Sequence, residues 1–360
     1  MNILILKLCA VFLVIIAMLW RKLPLFAAIS GGLAAAVLLY GIPLGRALTI
    51  GGKALVSRET VTVVLSFYFI TFLQRMLERR RRLKQAEESL SGLFNNRRIN
   101  ASAAPAVIGL LPSAGAMTIC AEIVRSSCED YMSPEDMTCV TSFYRHIPES
   151  FLPTYSSILI ALALSGVGAG QFVLAMLPLV AVLFLIGYVF HLRKLPKRTD
   201  QRLEGGKMDF ARMLFCSLWS IILIVLLIIA FDIPVYIATP LVTVLNIFVD
   251  RLKWWEIRPM FFTAFEPVII FNTVLIMVFK DIITSTGVIH ELPVFFGGLP
   301  VPLPLVFALI FFFGTIISGS NAIISLCLPM AMAAVPDGGV ALLVLLMSMA
   351  YAAMQVSPTH

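Results

Sequence analysis

The sequence predicts an all-α polytopic membrane protein made of two inverted repeats, each with a re-entrant helical hairpin. Three observations carry this. First, 60% of the 360 residues are hydrophobic and only 13% are charged, against about 25% charged in soluble domains. No water-soluble fold of this size covers so much apolar surface. Second, apolar runs of about 20 residues, the length that crosses a hydrocarbon core, alternate with basic loops. Third, two runs are interrupted by small and polar residues at matching places in the two halves of the chain.

The apolar segments are 3–20, 24–41, 59–76, 104–124, 150–166, 170–191, 212–231, 233–249, 260–279, 301–335 and 338–356. Residues 1–23 hold the first transmembrane helix. Positive charge follows it (Arg21, Lys22) more than it precedes it. A cleavable signal peptide shows the reverse, so this helix is expected to be retained with its N-terminus outside. Repeat one covers 24–191, with a hairpin near 104–125. Its halves are 104–111 and 116–124, and Pro112-Ser113-Ala114-Gly115 is the break. Residues 151–190 carry no charge, and Gly166, Gly168 and Gly170 supply a tight turn between two helices.

Residues 192–211 form a basic cytoplasmic linker. Repeat two covers 212–360. Its first two helices turn at Asp232-Ile233-Pro234, where the proline starts a helix. The run 292–336 holds 45 residues without a charge. That is too long for one crossing and too short for two with their loops. Pro300, Pro302 and Pro304 crowd its start, and Ser318-Gly319-Ser320-Asn321 interrupts it. The halves 305–317 and 321–335 have 13 and 15 residues, each short of a crossing. The hairpin near 301–335 follows, with its tip inside the membrane. Broken backbone survives there only when buried in protein or lining a cavity. The second half is one helix short of the first, so a chain truncated at its C-terminus is expected.

Charge supports this layout. With 21–23, 75–103, 125–149, 192–212 and 250–259 inside, 22 of the 27 Lys and Arg residues are inside, as the positive-inside rule requires. The net charge of +7 is therefore topological, and no nucleic-acid partner is expected. Glu59 and Glu266 each open an apolar helix, as the helix dipole favours. Ser113 and Ser320 each follow 54 residues later, at a break. The layout puts Glu59 outside and Glu266 inside, so the copies are inverted.

Inverted repeats with broken helices mark secondary transporters, with substrate and ions at the midplane. A broken helix leaves free N–H groups at one end and free carbonyls at the other. The N–H end attracts a carboxylate, and the carbonyl end suits sodium. The expected substrate and ion site is Ser113, Ala114 and Gly115 in the first break and Gly319, Ser320 and Asn321 in the second. Pro153-Thr154 and Pro358-Thr359 mark broken helices facing the hairpins. Close packing of small residues and a proline kink held by threonine are the alternatives. Glu149, beside Arg145 and His146, is a candidate for proton coupling, with a solvated juxtamembrane cluster the favoured reading. Asn272 and Thr273 are mid-helix candidates for the pathway. Arg79-Arg80-Arg81-Arg82 reads as a headgroup-facing stretch, and Trp254 and Trp255 as an interfacial anchor. The six cysteines read as small buried hydrophobes.

Gly109-Leu110-Leu111-Pro112-Ser113-Ala114-Gly115, Tyr144-Arg145-His146-Ile147-Pro148-Glu149, Leu152-Pro153-Thr154-Tyr155 and the closing Val356-Ser357-Pro358-Thr359-His360 carry a resemblance over most of the chain. It resembles an integral-membrane family, domain-of-unknown-function family 401, grouped with the ion transporter superfamily of citrate, gluconate and dicarboxylate carriers. The resemblance implies a homodimer in the cytoplasmic membrane of a prokaryote, moving a small organic anion by an elevator-like mechanism. Related carriers hold substrate and sodium at Ser-Asn-Thr hairpin tips. Here Ser320 and Asn321 match, with Ala322 in the threonine place. Ser113 matches in the first hairpin, with Ala114 and Gly115 following.

The expected function is thus a secondary active transporter for a small anion, a carboxylate by preference, coupled to sodium or protons. Sodium is a candidate coupling ion, with the proton as the alternative; no cofactor or resident metal is expected. The rivals are a membrane scaffold and an intramembrane enzyme. A scaffold needs no polar breaks at mid-depth. Hydrolysis needs a base or metal at membrane depth, and the four histidines (146, 191, 290 and 360) sit at helix ends or in loops. No phosphate-binding glycine loop is present.

Overall fold

The computed structural model describes residues 3–94, 96–110, 116–197, 206–297 and 300–357. Among these, every regular element is helical. The first helices are α1 (Ile3–Trp20), α2 (Leu25–Tyr40), α3 (Leu44–Leu55), α4 (Arg58–Arg79), α5 (Arg82–Leu93) and α6 (Arg97–Gly109). Next come α7 (Ala116–Cys128), α8 (Pro134–His146), α9 (Ser156–Ser165), α10 (Ala169–Gly187), α11 (Lys207–Phe231) and α12 (Val235–Val249). The last are α13 (Trp254–Thr263), α14 (Pro267–Ser285), α15 (Val288–Gly297), α16 (Leu303–Ser318), α17 (Ser320–Ala334) and α18 (Gly339–Val356).

Among the described residues, six helices are long and apolar enough to cross a membrane: α1, α4, α11, α14, α10 with the turn after it, and α18 with the turn before it. Their outward side chains are large and apolar, among them Leu13, Leu185, Phe215 and Phe271. In water such a surface would aggregate. The chain is a multi-pass helical membrane protein.

The boundaries follow local chemistry. Ser133 caps α8 by accepting from the Asp136 N–H at 3.2 Å, and Pro134 takes the first helical position, where its missing N–H costs nothing. Asp232 closes α11 in the left-handed region at φ 50°, and Pro234 precedes α12, as the sequence predicts. Glu59 lies in the first turn of α4, and Glu266 sits immediately before α14 with Pro267 first in the helix.

The apolar segment 260–279 is divided between α13 and α14 by a break at 264–266, and Glu266 stands before the second helix. In the segment 150–166, residues 151–155 are non-helical and α9 starts at Ser156.

The chain forms two compact units, each drawing on both halves of the sequence. Unit 1 is Met1–Tyr68, Leu159–Gly168 and Phe265–His360; unit 2 is Phe69–Ile158 and Ala169–Ala264. In unit 1, α1 packs on α2, α2 on α14, and α16 on both α17 and α18. Its fully buried side chains include Ile15, Ile29, Phe307 and Phe311. Lys280 on α14 donates to the Glu59 carboxylate at the start of α4. In unit 2, α6, α7 and α8 pack on one another, and α5 lies on α11. Tyr144, Ile147, Val124, Val140, Leu192 and Leu195 form one buried cluster there.

Arg80 and Arg82 are engaged by partners within the protein. Arg82 pairs with the Asp250 carboxylate, whose side chain is 4% exposed. Arg80 donates to the Asp250 carbonyl at 2.8 Å. The pair fixes the loop after α12 to the start of α5.

Glu87 on α5 gives unit 2 a pH dependence. Partial burial, then the neighbouring carboxylates Glu122 and Glu88, raise its pKa above 4.5, against the pull of Lys84. The folded state therefore keeps a proton that the unfolded chain has already lost. Stability is highest below the unfolded pKa and falls as pH rises through the folded one. Glu87→Gln removes that slope. Melting curves in detergent between about pH 4.5 and 7.5 should show the variant gaining on the wild type as pH rises.

Candidate functional site

The second break is a single residue. Ser318 ends α16, Ser320 starts α17, and Gly319 stands between them at φ 84°, ψ 153°. That backbone region is essentially restricted to glycine. Nothing lies within 4 Å of the place a Cβ would take. The glycine is required by the backbone and not by crowding. The Gly319 N–H closes α16 by donating to the Thr315 carbonyl at 2.9 Å. At the start of α17 the N–H groups of Ser320, Asn321 and Ala322 have no intrahelical acceptor.

These residues open on a cavity of about 590 Å³, lined also by Leu19, Trp20 and Lys22. Ser320 is 6% exposed. The cavity thus brings together the positive end of α17, a hydroxyl, an amide and an ammonium group. All of these favour an anion. The tip lies beside the turn between α1 and α2.

Gly319→Ala should lower stability by about 1–3 kcal/mol, the cost of forcing a side chain into this region. Gly52→Ala, inside α3 with open space at its Cβ, should instead be neutral or stabilising. Thermal unfolding of the two variants in one detergent separates these outcomes.

The first break, with Ser113, Ala114 and Gly115, lies outside the described residues, as do Pro358 and Thr359. The flanking helices α6 and α7 pack side by side. Pro153 and Thr154 lie in the non-helical segment 151–155. Helix α8 ends at His146, a 3-10 turn covers Ile147–Ser150, and α9 begins at Ser156. Both residues are buried. The Thr154 hydroxyl has no hydrogen-bond partner and faces a void of about 20 Å³ shared with Gln74 and Ile221.

This break is locked to α6 backbone against backbone. A Cβ on Gly109 would lie 2.3 Å from the Arg145 carbonyl oxygen. The Tyr155 hydroxyl donates to the Gly109 carbonyl. In the cluster around Arg145, expected to be solvated, Arg145 itself is buried at 7% exposed, while His146 and Glu149 are partly exposed. Its Nη1 lies 3.3 Å from a Glu149 carboxylate oxygen, its Nε has no hydrogen-bond partner, and its guanidinium carbon lies 5.9 Å from the Tyr155 ring centre. His146 approaches the same Glu149 oxygen through Nε2 at 3.8 Å, while its Nδ1 lies 2.6 Å from the Ser142 carbonyl. A carbonyl can only accept, so Nδ1 carries a proton. Nε2 then meets the carboxylate favourably when one more proton is present.

Sequence reasoning missed three of these residues as parts of a site. Lys22 served only as a topology marker, and Gly109 and Tyr155 only as letters in motifs. On α14, Thr273 is buried and donates to the Ile269 carbonyl at 2.8 Å. The neighbouring Asn272 side-chain amide oxygen has no hydrogen-bond partner.

Residues 4–360 match the family model described as a protein of unknown function, DUF401. No curated protein matches the chain.

Proposed function

The chain belongs to the DUF401 family, and from that premise we propose that it is a secondary active transporter of a small organic anion, a carboxylate by preference. The observation that carries this reading is the cavity at the second break. There a glycine-only backbone turn presents the α17 N-terminus, Ser320 and Asn321 beside Lys22. In a bilayer an unwound, polar segment is costly unless it serves a cavity.

In this reading α6/α7 and α16/α17 are the two re-entrant hairpins of inverted repeats. The protein works as a homodimer in the cytoplasmic membrane of a prokaryote, with an elevator-like movement. It carries its substrate without making or breaking covalent bonds. Ser113, Ala114 and Gly115 complete the substrate site, with the Pro153-Thr154 and Pro358-Thr359 breaks facing the hairpins. Sodium or a proton drives transport. For the proton, Glu149 and His146 are the carriers: one added proton turns their contact favourable, and Arg145 holds the carboxylate between cycles.

The test is a stability screen of the purified chain against mono-, di- and tricarboxylates of two to six carbons, with and without sodium, at acid and neutral pH. One carboxylate class should raise the melting temperature of the wild type and leave Lys22→Gln with Ser320→Ala unchanged. That class should then exchange across proteoliposomes. If no carboxylate stabilises the protein under any condition, the reading fails.

A further inference from the structure

At the C-terminal end of α4 a cavity of about 470 Å³ opens within unit 2, lined by Arg75, Glu78, Arg79, Trp255, Glu256 and Thr263 among others. Helix α4 has 22 residues, a length of about 33 Å that spans a hydrocarbon core of about 30 Å. Its last turn therefore stands at headgroup level. The second wall is α13, a helix of ten residues with Trp254, Trp255, Phe261 and Phe262 exposed. Such a face belongs in the membrane interface.

The lining itself carries two arginines and two glutamates, and Arg80 behind it adds a third cation that pairs with Glu256. Glu78 is held by Arg75 at 3.3 Å and by the Gln74 amide at 3.1 Å. Glu256 accepts from the Lys253 N–H at 3.1 Å and lies 3.8 Å from Arg80. Each carboxylate thus has its own guanidinium. Arg79 is left over and exposed, in the same cavity lining as Trp255, whose indole carries the Lys253 ammonium at 4.9 Å from its ring. The surplus is positive, and the neighbouring surface is aromatic.

We infer that this cavity binds the phosphodiester headgroup of one anionic phospholipid. Arg79 holds the phosphate, the free hydroxyls of a glycerol headgroup reach Thr263 and the carboxylate rim, and the acyl chains lie along Trp255 and the apolar face of α13. A free phosphate would gain the charge contact and lose the aromatic one. A zwitterionic lipid brings its own cation, which meets Arg79. The inference rests on the membrane fold and is independent of what the protein transports.

Native mass spectrometry of the full chain tests it, with phosphatidylglycerol, phosphatidylcholine and glycerol phosphate as probes. The wild type should retain one phosphatidylglycerol through delipidation and no phosphatidylcholine. Arg79→Gln should weaken retention about fivefold, the worth of one basic residue at a charged surface. Arg79→Lys should keep most of it, and Trp255→Ala should weaken it independently. Arg21→Gln, a charge change outside the cavity, should retain the lipid as the wild type does. The inference is overturned if Arg79→Gln retains lipid like the wild type. It is overturned equally if phosphatidylcholine is held as well as phosphatidylglycerol, or if glycerol phosphate displaces the lipid.

Discussion

Gly109→Ala should destabilise the protein by about 3 kcal/mol, near the upper end for overpacking, and Gly109→Val should prevent folding. The added Cβ would stand 2.3 Å from the Arg145 carbonyl oxygen. That oxygen belongs to the backbone and cannot rotate away. Relief would require α6 to back off from α8, and these helices pack along their length. The same shift would break the Tyr155 hydroxyl bond to the Gly109 carbonyl. Thermal unfolding in detergent measures the loss. Tyr155→Phe, which removes only that bond, should cost about 1 kcal/mol and leave folding intact.

Arg145→Met should cost about 3 kcal/mol, the lower end of the range for removing one partner of a buried ion pair. Glu149 is 21% exposed at its side chain, so water screens part of the orphaned charge. Most of the loss comes from that orphan rather than from the missing attraction. Arg145→Met with Glu149→Gln should therefore recover much of the stability of the wild type. A double-mutant cycle measures the coupling. Additive losses would mean that the two side chains act separately.

The long apolar helices were legible because twenty residues facing lipid leave an unbroken hydropathy signal. Helices α1, α2, α4, α11, α12 and α18 begin and end within a few residues of the expected segments. The break at Gly319 was legible because Ser318, Ser320 and Asn321 have no place in a lipid-facing helix. Helices α3, α5, α13 and α15 were not legible. They are short, and α3, α5 and α13 carry two or more charges each, which hides them from an average over twenty residues. Helix α13 escaped as a separate element because Phe261, Phe262 and Phe265 keep the run apolar up to α14. Hydropathy reports what a residue prefers to touch and says nothing of the backbone.

Arg145 shows a second kind of limit. A charged residue near a helix end reads as solvated, since that is its cheapest fate. Its burial depends on Gly109, 36 positions earlier, which brings the backbone of α6 flush with α8. The same holds for Arg80 and Arg82, whose partners Asp250 and Glu256 are about 170 residues away in the chain. No periodicity records such contacts.

Cysteine accessibility at the two breaks tests the central claim most directly. In an active, otherwise cysteine-free chain in sealed membranes, Ser320→Cys and Ser113→Cys would be probed one at a time. Small polar thiol reagents would be applied from each side, with and without sodium and candidate carboxylates. The transporter reading predicts that both positions react and that one carboxylate protects both. If both stay inert under every condition, or react from opposite faces with no protection by any ligand, the breaks do not share a substrate site and the transporter reading is wrong.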